Sequence, residues 1–158
     1  MKNTENDCLT ISYRYLGKTS KISIQPSLFK HLSTFLGGSV QRARAWIPKI
    51  LCDARDQGLT AKYSSFVTEE ALLMVLPSST MSGFTSDLSM RHTIWVFLDG
   101  ERTKVSLPGA MKYFADRYLQ ENNTKYFHLT SQQIQHYKGN KRNVSEMIRA
   151  YLLTLFCS

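Results

Sequence analysis

The fold is decided by the stretch Lys21–Leu51, which reads KISIQPSLFKHLSTFLGGSVQRARAWIPKIL. Ile22 and Ile24 alternate with polar residues, and this period of two predicts a strand that is apolar on one face and polar on the other. Pro26 cannot donate a hydrogen bond to a strand ladder, so the strand is expected to end before it and a helix to begin there.

Two helices are expected after this strand. Apolar side chains recur at helical spacing in the first helix, at Leu28, Leu32, Phe35 and Leu36. Gly37 and Gly38 are expected to end it, and Ser39 is placed to cap the second helix, which begins with basic residues. Pro48 lies inside the second helix, where the loss of one amide predicts a kink or a break.

A polar strand face beside the cationic start of a helix suits DNA, because side chains can reach base edges while backbone amides bind a phosphate. On the strand, the residues expected to contact bases are Lys21, Ser23 and Gln25. At the start of the second helix, the residues expected to contact phosphates are Ser39, Gln41 and Arg42. The stretch thus predicts a site for double-stranded DNA.

This order of elements resembles the ribbon-helix-helix family of DNA-binding transcription regulators. The resemblance covers about Lys21–Asp56 and rests on the strand alternation, the proline, the Gly-Gly-Ser turn and the apolar spacing of both helices. It implies an intertwined homodimer that pairs two strands into a ribbon and inserts the ribbon into the major groove. It also implies a regulator of the kind found on plasmids and other mobile elements.

The charge of the chain also favours nucleic acid as the partner. The net charge is +8 and the isoelectric point is near 9.5, which suits a polyanion. Residues 1–60 carry a net charge of +5 (9 − 4) and residues 91–158 carry +5 (10 − 5), whereas residues 61–90 carry −2 (1 − 3). Two basic lobes are therefore expected on either side of an acidic connector.

The remaining composition argues against several classes of protein. Three cysteines without a C-x-x-C pair and four separated histidines predict reduced thiols and no structural zinc site. The polar N-terminus and the short apolar runs predict neither a signal peptide nor a membrane span, so a cytoplasmic protein is expected. No phosphate loop, H-E-x-x-H or G-x-S-x-G motif is found, so neither an enzyme nor a cofactor is expected. A nuclease built from scattered acidic residues is the enzyme class left open. Asp53 and Asp56 offer carboxylates that could hold a metal ion, although a solvated helix end is the favoured interpretation of this pair.

The chain repeats itself with a shift of 83 residues, which aligns Thr10–Leu36 with Thr93–Leu119 without a gap. Six of the 27 aligned positions are identical, and the core positions are conservatively replaced. Each copy predicts a β-hairpin followed by a helix, and Asp99-Gly100 is a strong turn signal in the second copy. The sequence thus predicts an α+β fold of ribbon-helix-helix-like units, each with short strands or a hairpin followed by two helices, formed by internal duplication.

The second unit is expected to end in an amphipathic helix. Its apolar residues follow helical spacing at Val144, Met147, Ile148, Tyr151, Leu152, Leu155 and Phe156. Its partner strand is either Thr103–Leu107, by the repeat, or Lys125–Leu129, by local spacing. Lys125–Leu129 is the strand favoured for DNA contact, and a short helix near Ser131–Tyr137 is expected after it. The residues then expected to contact bases are Tyr126 and His128, and those expected to contact phosphates are Lys141, Arg142 and Asn143.

The expected organisation is an N-terminal lobe over residues 1–77, a Ser/Thr/Gly-rich linker over 78–91 and a C-terminal lobe over 92–158. The N-terminal lobe is expected to close with a short helix that Thr68 caps and that runs through Leu76. The function expected from it is sequence-specific binding of double-stranded DNA by a transcription regulator that acts as a homodimer. The alternative is an antitoxin or relaxosome accessory protein that uses one lobe for DNA and the other for a protein partner.

Overall fold

The structure is a computed structural model in which residues 9–90, 92–137 and 144–157 are described. The first half consists of β1 (Leu9–Tyr15), β2 (Lys18–Ile24), α1 (Pro26–Phe35), α2 (Val40–Asp56) and α3 (Tyr63–Val75). The second half consists of β3 (His92–Leu98), β4 (Glu101–Leu107), α4 (Gly109–Glu121), β5 (Phe127–Leu129), α5 (Ser131–Ile134) and α6 (Val144–Phe156). Short 3-10 turns lie at Ser78–Met81 and Gln135–Tyr137. The expected α+β class is confirmed.

The two halves repeat each other through the hairpin and the helix that follows it. Leu9 and Ile24 bound the first hairpin, and the residues that bound the second lie 83 positions later (92 − 9 and 107 − 24). Both turns place two residues at positive φ, with 51° and 80° at Leu16-Gly17 and 51° and 84° at Asp99-Gly100. Two-residue hairpin loops prefer this backbone. The order of hairpin and helix predicted for both copies is confirmed.

The strands form two separate sheets. β1 and β2 pair antiparallel, whereas β3 lies between β4, which is antiparallel to it, and β5, which is parallel to it. Both candidate partner strands for the last helix therefore contribute to one sheet, at its opposite edges: Thr103–Leu107 within β4, and the Phe127–Leu129 part of Lys125–Leu129 as β5. The strand predicted to begin at Lys21 begins at Lys18 and pairs with β1 of its own chain, so it is not a lone strand.

The hydrophobic core follows the alternation of the strands. The inward side chains, each at most 8% exposed, are Ile11, Tyr13, Ile22 and Ile24 in the first hairpin and Ile94, Val96, Val105 and Leu107 in the second. Helix α3 packs on β2 and on α4 of the other half, and α6 packs on β4 and on α1. The buried residues of both halves consequently form one cluster.

The segment predicted as a linker contacts the second half where the structure describes it. Met81 is buried, and the carbonyl oxygen of Ser82 accepts a hydrogen bond of 2.6 Å from the Tyr113 hydroxyl. Phe84 meets the Tyr113 ring edge to face, with the ring centroids 5.3 Å apart. The division of the chain into two lobes stays a prediction, and these contacts hold the segment between them against α4.

The first two helices differ from the prediction in two details. Phe35, expected on the apolar face of α1, is 56% exposed, and Phe29 is buried instead. Helix α2 continues through Pro48, so the predicted break is wrong. Ile47 and Leu51 on either side of the proline are completely buried, and their packing holds both turns in place although one backbone hydrogen bond is missing.

The third and the last helix also test the sequence pattern. Helix α3 begins at Tyr63, five residues before the predicted cap Thr68 (68 − 63), because Val67 already packs in the core. Helix α6 confirms the predicted amphipathic helix, although Val144 at its start is 40% exposed. In the part of the chain that the structure describes, no helix is both long enough and apolar enough to cross a membrane.

Candidate nucleic-acid interface

The outer surface of the first hairpin is polar because its apolar side chains alternate inward. We call this surface the polar face; its residues are Thr10, Ser12, Arg14, Thr19, Lys21 and Ser23, all exposed. They meet as three cross-strand pairs in the β1–β2 register. Hydroxyl groups and two cations therefore cover one side of a two-stranded sheet whose other side is buried.

In the first half, the residues predicted to contact bases are Lys21 and Ser23 of β2 and Gln25, which follows the strand. Lys21 and Ser23 belong to the polar face, and the Ser23 amide donates a hydrogen bond of 2.9 Å to the Ser64 hydroxyl of α3. Gln25 is half-buried and stands outside the strand, at the residue that precedes α1. The structure thus places Lys21 and Ser23 together on one surface and sets Gln25 apart from it.

The turn before α2 has the predicted geometry. Gly37 and Gly38 have positive φ, and the Gly38 amide donates to the Ser33 carbonyl oxygen at 2.8 Å, which ends α1. Ser39 is the N-cap of α2, where its hydroxyl accepts a hydrogen bond of 3.1 Å from the Arg42 amide. Gln41 and Arg42 are exposed on the first turn. The other predicted phosphate contacts, Lys141, Arg142 and Asn143, lie outside the described residues.

The outer surface of the second sheet is aromatic. Outward alternation in β3, and in β5 together with the residue before it, brings together four rings, which we call the aromatic face: Trp95, Phe97, Tyr126 and His128. The rings of Phe97 and His128 are parallel within 6°, with their centroids 5.2 Å apart. Tyr126 meets Phe97 edge to face at 5.2 Å. The predicted base contacts Tyr126 and His128 therefore lie on one surface.

Cations border the aromatic face. The Arg102 guanidinium lies 4.0 Å from the ring centroid of Trp95, and the Lys104 ammonium lies 6.0 Å from the same centroid. Lys125 is 5.6 Å from the ring centroid of Tyr126. Cation–π contact of this kind orders long side chains beside a ring. Positive charge and flat aromatic surface thus occur side by side.

The sequence reasoning missed Trp95 and Phe97, although a signal for them exists. In the stretch HTIWVFL, Ile94 and Val96 take the inward positions of the alternation, which leaves both aromatic residues on the outward positions. Large apolar residues on the solvent side of a strand are the unusual feature. A reading of this strand by face would have identified the aromatic surface.

A cleft of about 610 Å³ separates the two halves. Equivalent positions of the repeat line it, such as Ser23 and Ser106. The buried Glu69 of α3 also lines it, and its carboxylate accepts hydrogen bonds from the Ala110 amide at 3.1 and 3.3 Å. Burial raises the pKa of Glu69 above its ordinary value. Because the Glu69 carboxylate accepts hydrogen bonds from an amide at the start of α4, Glu69 caps this helix of the other half.

The predicted metal alternative at the end of α2 meets a different arrangement. Asp56 accepts a hydrogen bond of 2.7 Å from the Tyr15 hydroxyl, and Asp53 is exposed. Within the described ranges, no group of three His, Cys, Asp or Glu residues is arranged to hold a metal ion. The two aspartates therefore belong to the packing and the solvated surface of the helix end.

No protein-family model, no curated protein and no solved structure matches this chain. The resemblance to the ribbon-helix-helix family stays a prediction from the residues of Lys21–Asp56. What the chain can bind is therefore inferred from the polar face, the start of α2 and the aromatic face.

Proposed function

We propose that the protein is a transcription regulator that binds double-stranded DNA with the polar face and with the start of α2. The observation that supports this best is the chemistry of the polar face, where hydroxyl groups and two cations are exposed on a hairpin whose opposite side is buried. The net charge of +8 adds a non-specific attraction to the DNA backbone.

Base contact is assigned to the hairpin because it is itself a two-stranded ribbon, which the major groove of B-DNA admits. Lys21 lies opposite Ser12 in the register, in the middle of the ribbon. Lysine suits the acceptors of guanine, and serine can bind more than one base. Arg14 donates hydrogen bonds to Thr19 Oγ1 at 3.2 Å and to the Gly17 carbonyl oxygen at 2.8 Å, which orders its guanidinium on the same face.

Phosphate contact is assigned to the start of α2. The other end of this helix packs on the hairpin, where Arg55 donates to the Tyr13 hydroxyl at 2.8 Å. The helix has 17 residues and is therefore about 25 Å long, so Arg42 lies well away from that packing. A cation beside free amides at the positive end of a helix suits a phosphate group.

Selection from a pool of random duplexes, with sequencing of the bound fraction, tests this function. The wild-type protein should enrich a defined motif. Lys21→Ala should lose preference at one or two base positions, at a cost of about 1–3 kcal/mol. Lys18→Ala is the matched control, because Lys18 is an exposed cation of the same strand beside the turn and is not part of the polar face. An unchanged motif in Lys21→Ala would remove the polar face from base reading.

A further inference from the structure

We propose that the aromatic face binds single-stranded nucleic acid by stacking unpaired bases on Trp95 and on the rings beside Phe97. This goes beyond the proposed function, because it adds a second site, on the other sheet, for a ligand that duplex DNA does not offer. The two proposals share nucleic acid as the ligand class, and each can fail without the other.

The fold itself does not require aromatic residues at these positions. Trp95 is 38% exposed although cations lie over its ring, and Ile94 and Val96 already supply the inward packing of β3. The repeat offers an internal comparison, because Ser12 and Arg14 occupy the equivalent outward positions of the first hairpin (95 − 83 and 97 − 83). The same hairpin thus forms with polar residues where the second half carries Trp95 and Phe97. Trp95 is therefore explained by binding rather than by folding, whereas Phe97 also packs against Tyr126 and His128.

The spacing of the rings allows each of two separate surfaces, Trp95 and the Phe97 group, to stack on one base. Trp95 and Phe97 are two residues apart on one strand, which separates them by about 7 Å. His128 of the neighbouring strand β5 and Tyr126 just before that strand extend the surface beside Phe97. A chain of unpaired nucleotides that crosses the sheet can therefore place one base on Trp95 and another on the Phe97 group.

Charge selects a polyanion as the occupant of this surface. Arg102 and Lys104 lie beside Trp95, and Lys125 lies beside Tyr126. The nearby acidic groups are at the turn, where Asp99 accepts hydrogen bonds from the amide and the hydroxyl of Ser131. Aromatic residues flanked by cations are the means by which proteins hold single strands without reading a sequence. A duplex hides the faces of its bases inside the stack, so it cannot use the rings in this way.

The test measures the binding of labelled oligothymidine, oligouridine and a mixed-sequence duplex by fluorescence anisotropy. The wild-type protein should bind both single strands, and Trp95→Ala should weaken that binding about 5- to 150-fold, which corresponds to the loss of one stacked base. Duplex binding should be unchanged in this variant. Trp95→Phe should recover part of the affinity, because a smaller ring still stacks. Circular dichroism confirms that each variant is folded.

A second measurement follows the ring directly. Trp46→Phe leaves Trp95 as the remaining tryptophan of the chain, since the sequence holds two. Oligothymidine should quench its fluorescence, because a stacked base contacts the indole ring. Emission that does not change while the oligonucleotide is bound would place the strand elsewhere on the protein and overturn the inference.

Lys21→Ala separates the two proposals. Loss of duplex selectivity with intact single-strand binding is expected from this variant. Duplex binding by a wild-type protein that does not bind oligothymidine would overturn the single-strand site and leave the proposed function standing. Single-strand binding that depends on Trp95, in a protein without affinity for duplexes, would overturn the proposed function and leave the single-strand site standing. An equal loss of both ligands in Trp95→Ala would also overturn the separate site.

Discussion

Glu69 connects the two halves through a single buried carboxylate. It is 6% exposed, and it binds the amide at the start of α4, where Pro108 at the N-cap position offers no side-chain acceptor. Burial raises its pKa, whereas the Ala110 amide and the charge of His92 act in the opposite direction. The capping bond is therefore made by a carboxyl group whose charged form is disfavoured by burial.

This raised pKa predicts a pH dependence of stability. The folded state binds the proton of Glu69 more tightly than the unfolded state, so the contribution to stability is complete below the unfolded pKa and is lost as the pH rises through the folded pKa. Relative to the wild-type protein, Glu69→Gln should therefore gain stability as the pH rises above the unfolded pKa of a glutamate, about 4.3. Urea unfolding at several pH values measures this. A difference that is constant with pH would contradict the prediction.

Asp99 supplies a control of opposite sign. The hydrogen bonds from the Ser131 hydroxyl and amide lower the pKa of Asp99. The stability that Asp99 contributes is therefore present above its unfolded pKa and is lost as the pH falls through its folded pKa. In the same titration, the advantage of the wild-type protein over Asp99→Asn should shrink towards low pH.

Arg42 is expected to act on the DNA backbone and not on the bases. Arg42→Ala should weaken the binding of all duplexes alike and should lower the slope of log affinity against log salt by about one. Binding measured from low to high salt gives this slope. Arg117→Ala is the control, because that guanidinium is held over the Tyr113 ring, 4.6 Å from its centroid, in the other half. A changed sequence preference with an intact salt slope would contradict the assignment of Arg42.

At the scale of the element, the two hairpin turns adopt the same backbone conformation with different residues. Leu16 and Asp99 occupy equivalent positions and share a φ of 51°. Aspartate tolerates this left-handed backbone, whereas a leucine is strained in it. Leu16 is also 83% exposed, so burial does not offset the strain. The first hairpin is therefore held by its packing on the core and by Gly17, and its turn is the weaker of the two.

Leu16→Asn should stabilise the protein by about 0.5–1 kcal/mol, because asparagine visits the left-handed region more readily. The midpoint of chemical unfolding measures the gain. Leu16→Ala is the matched control, since it removes the same exposed apolar side chain but keeps a Cβ without a polar group. Equal gains in the two variants would assign the effect to the lost apolar surface and not to the turn.

At the scale of the whole molecule, the helices α3 and α6 hold equivalent places. Each packs on the second strand of its own hairpin and on the first helix of the other half. The strands, in contrast to these helices, make no pairing between the halves: in the described residues, no strand of one half pairs with a strand of the other. The halves are thus joined by helices. Within the described residues, both edges of the first hairpin and the β4 edge of the second sheet are left without a partner strand.

A homodimer stays our prediction for the assembled protein. An unpaired edge on a two-stranded sheet favours pairing with a second copy. Ser64 already binds the Ser23 amide, so the stretch of β2 nearer its turn is the part expected to pair. Light scattering at micromolar concentration should give a mass of about 36 kDa, twice the 18.1 kDa of the chain. A strict monomer that still selects a DNA motif would defeat this prediction.

The parts of the candidate site that depend on residues close together in the sequence could be predicted. The Ser39 cap and the glycine turn before it follow from short-range rules, and the structure places both as expected. Tyr126 and His128, which are both predicted to contact bases, are two residues apart in the chain, and they lie on one surface beside Phe97. Gln25 does not lie on the predicted strand face, because β2 ends one residue earlier, at Ile24. The residue at which a strand ends depends on the packing around it.

The sequence by itself determined the two hairpins, their turns, the helix that follows each and the period of the last helix. These depend on backbone preferences and on the alternation of residues close together in the chain. Only the tertiary structure decided that β5 joins β3 in parallel, that Glu69 caps a helix of the other half, and that Phe97 stacks on His128. These contacts join residues 30 or more positions apart, and their formation depends on which buried surfaces the whole chain can bring together.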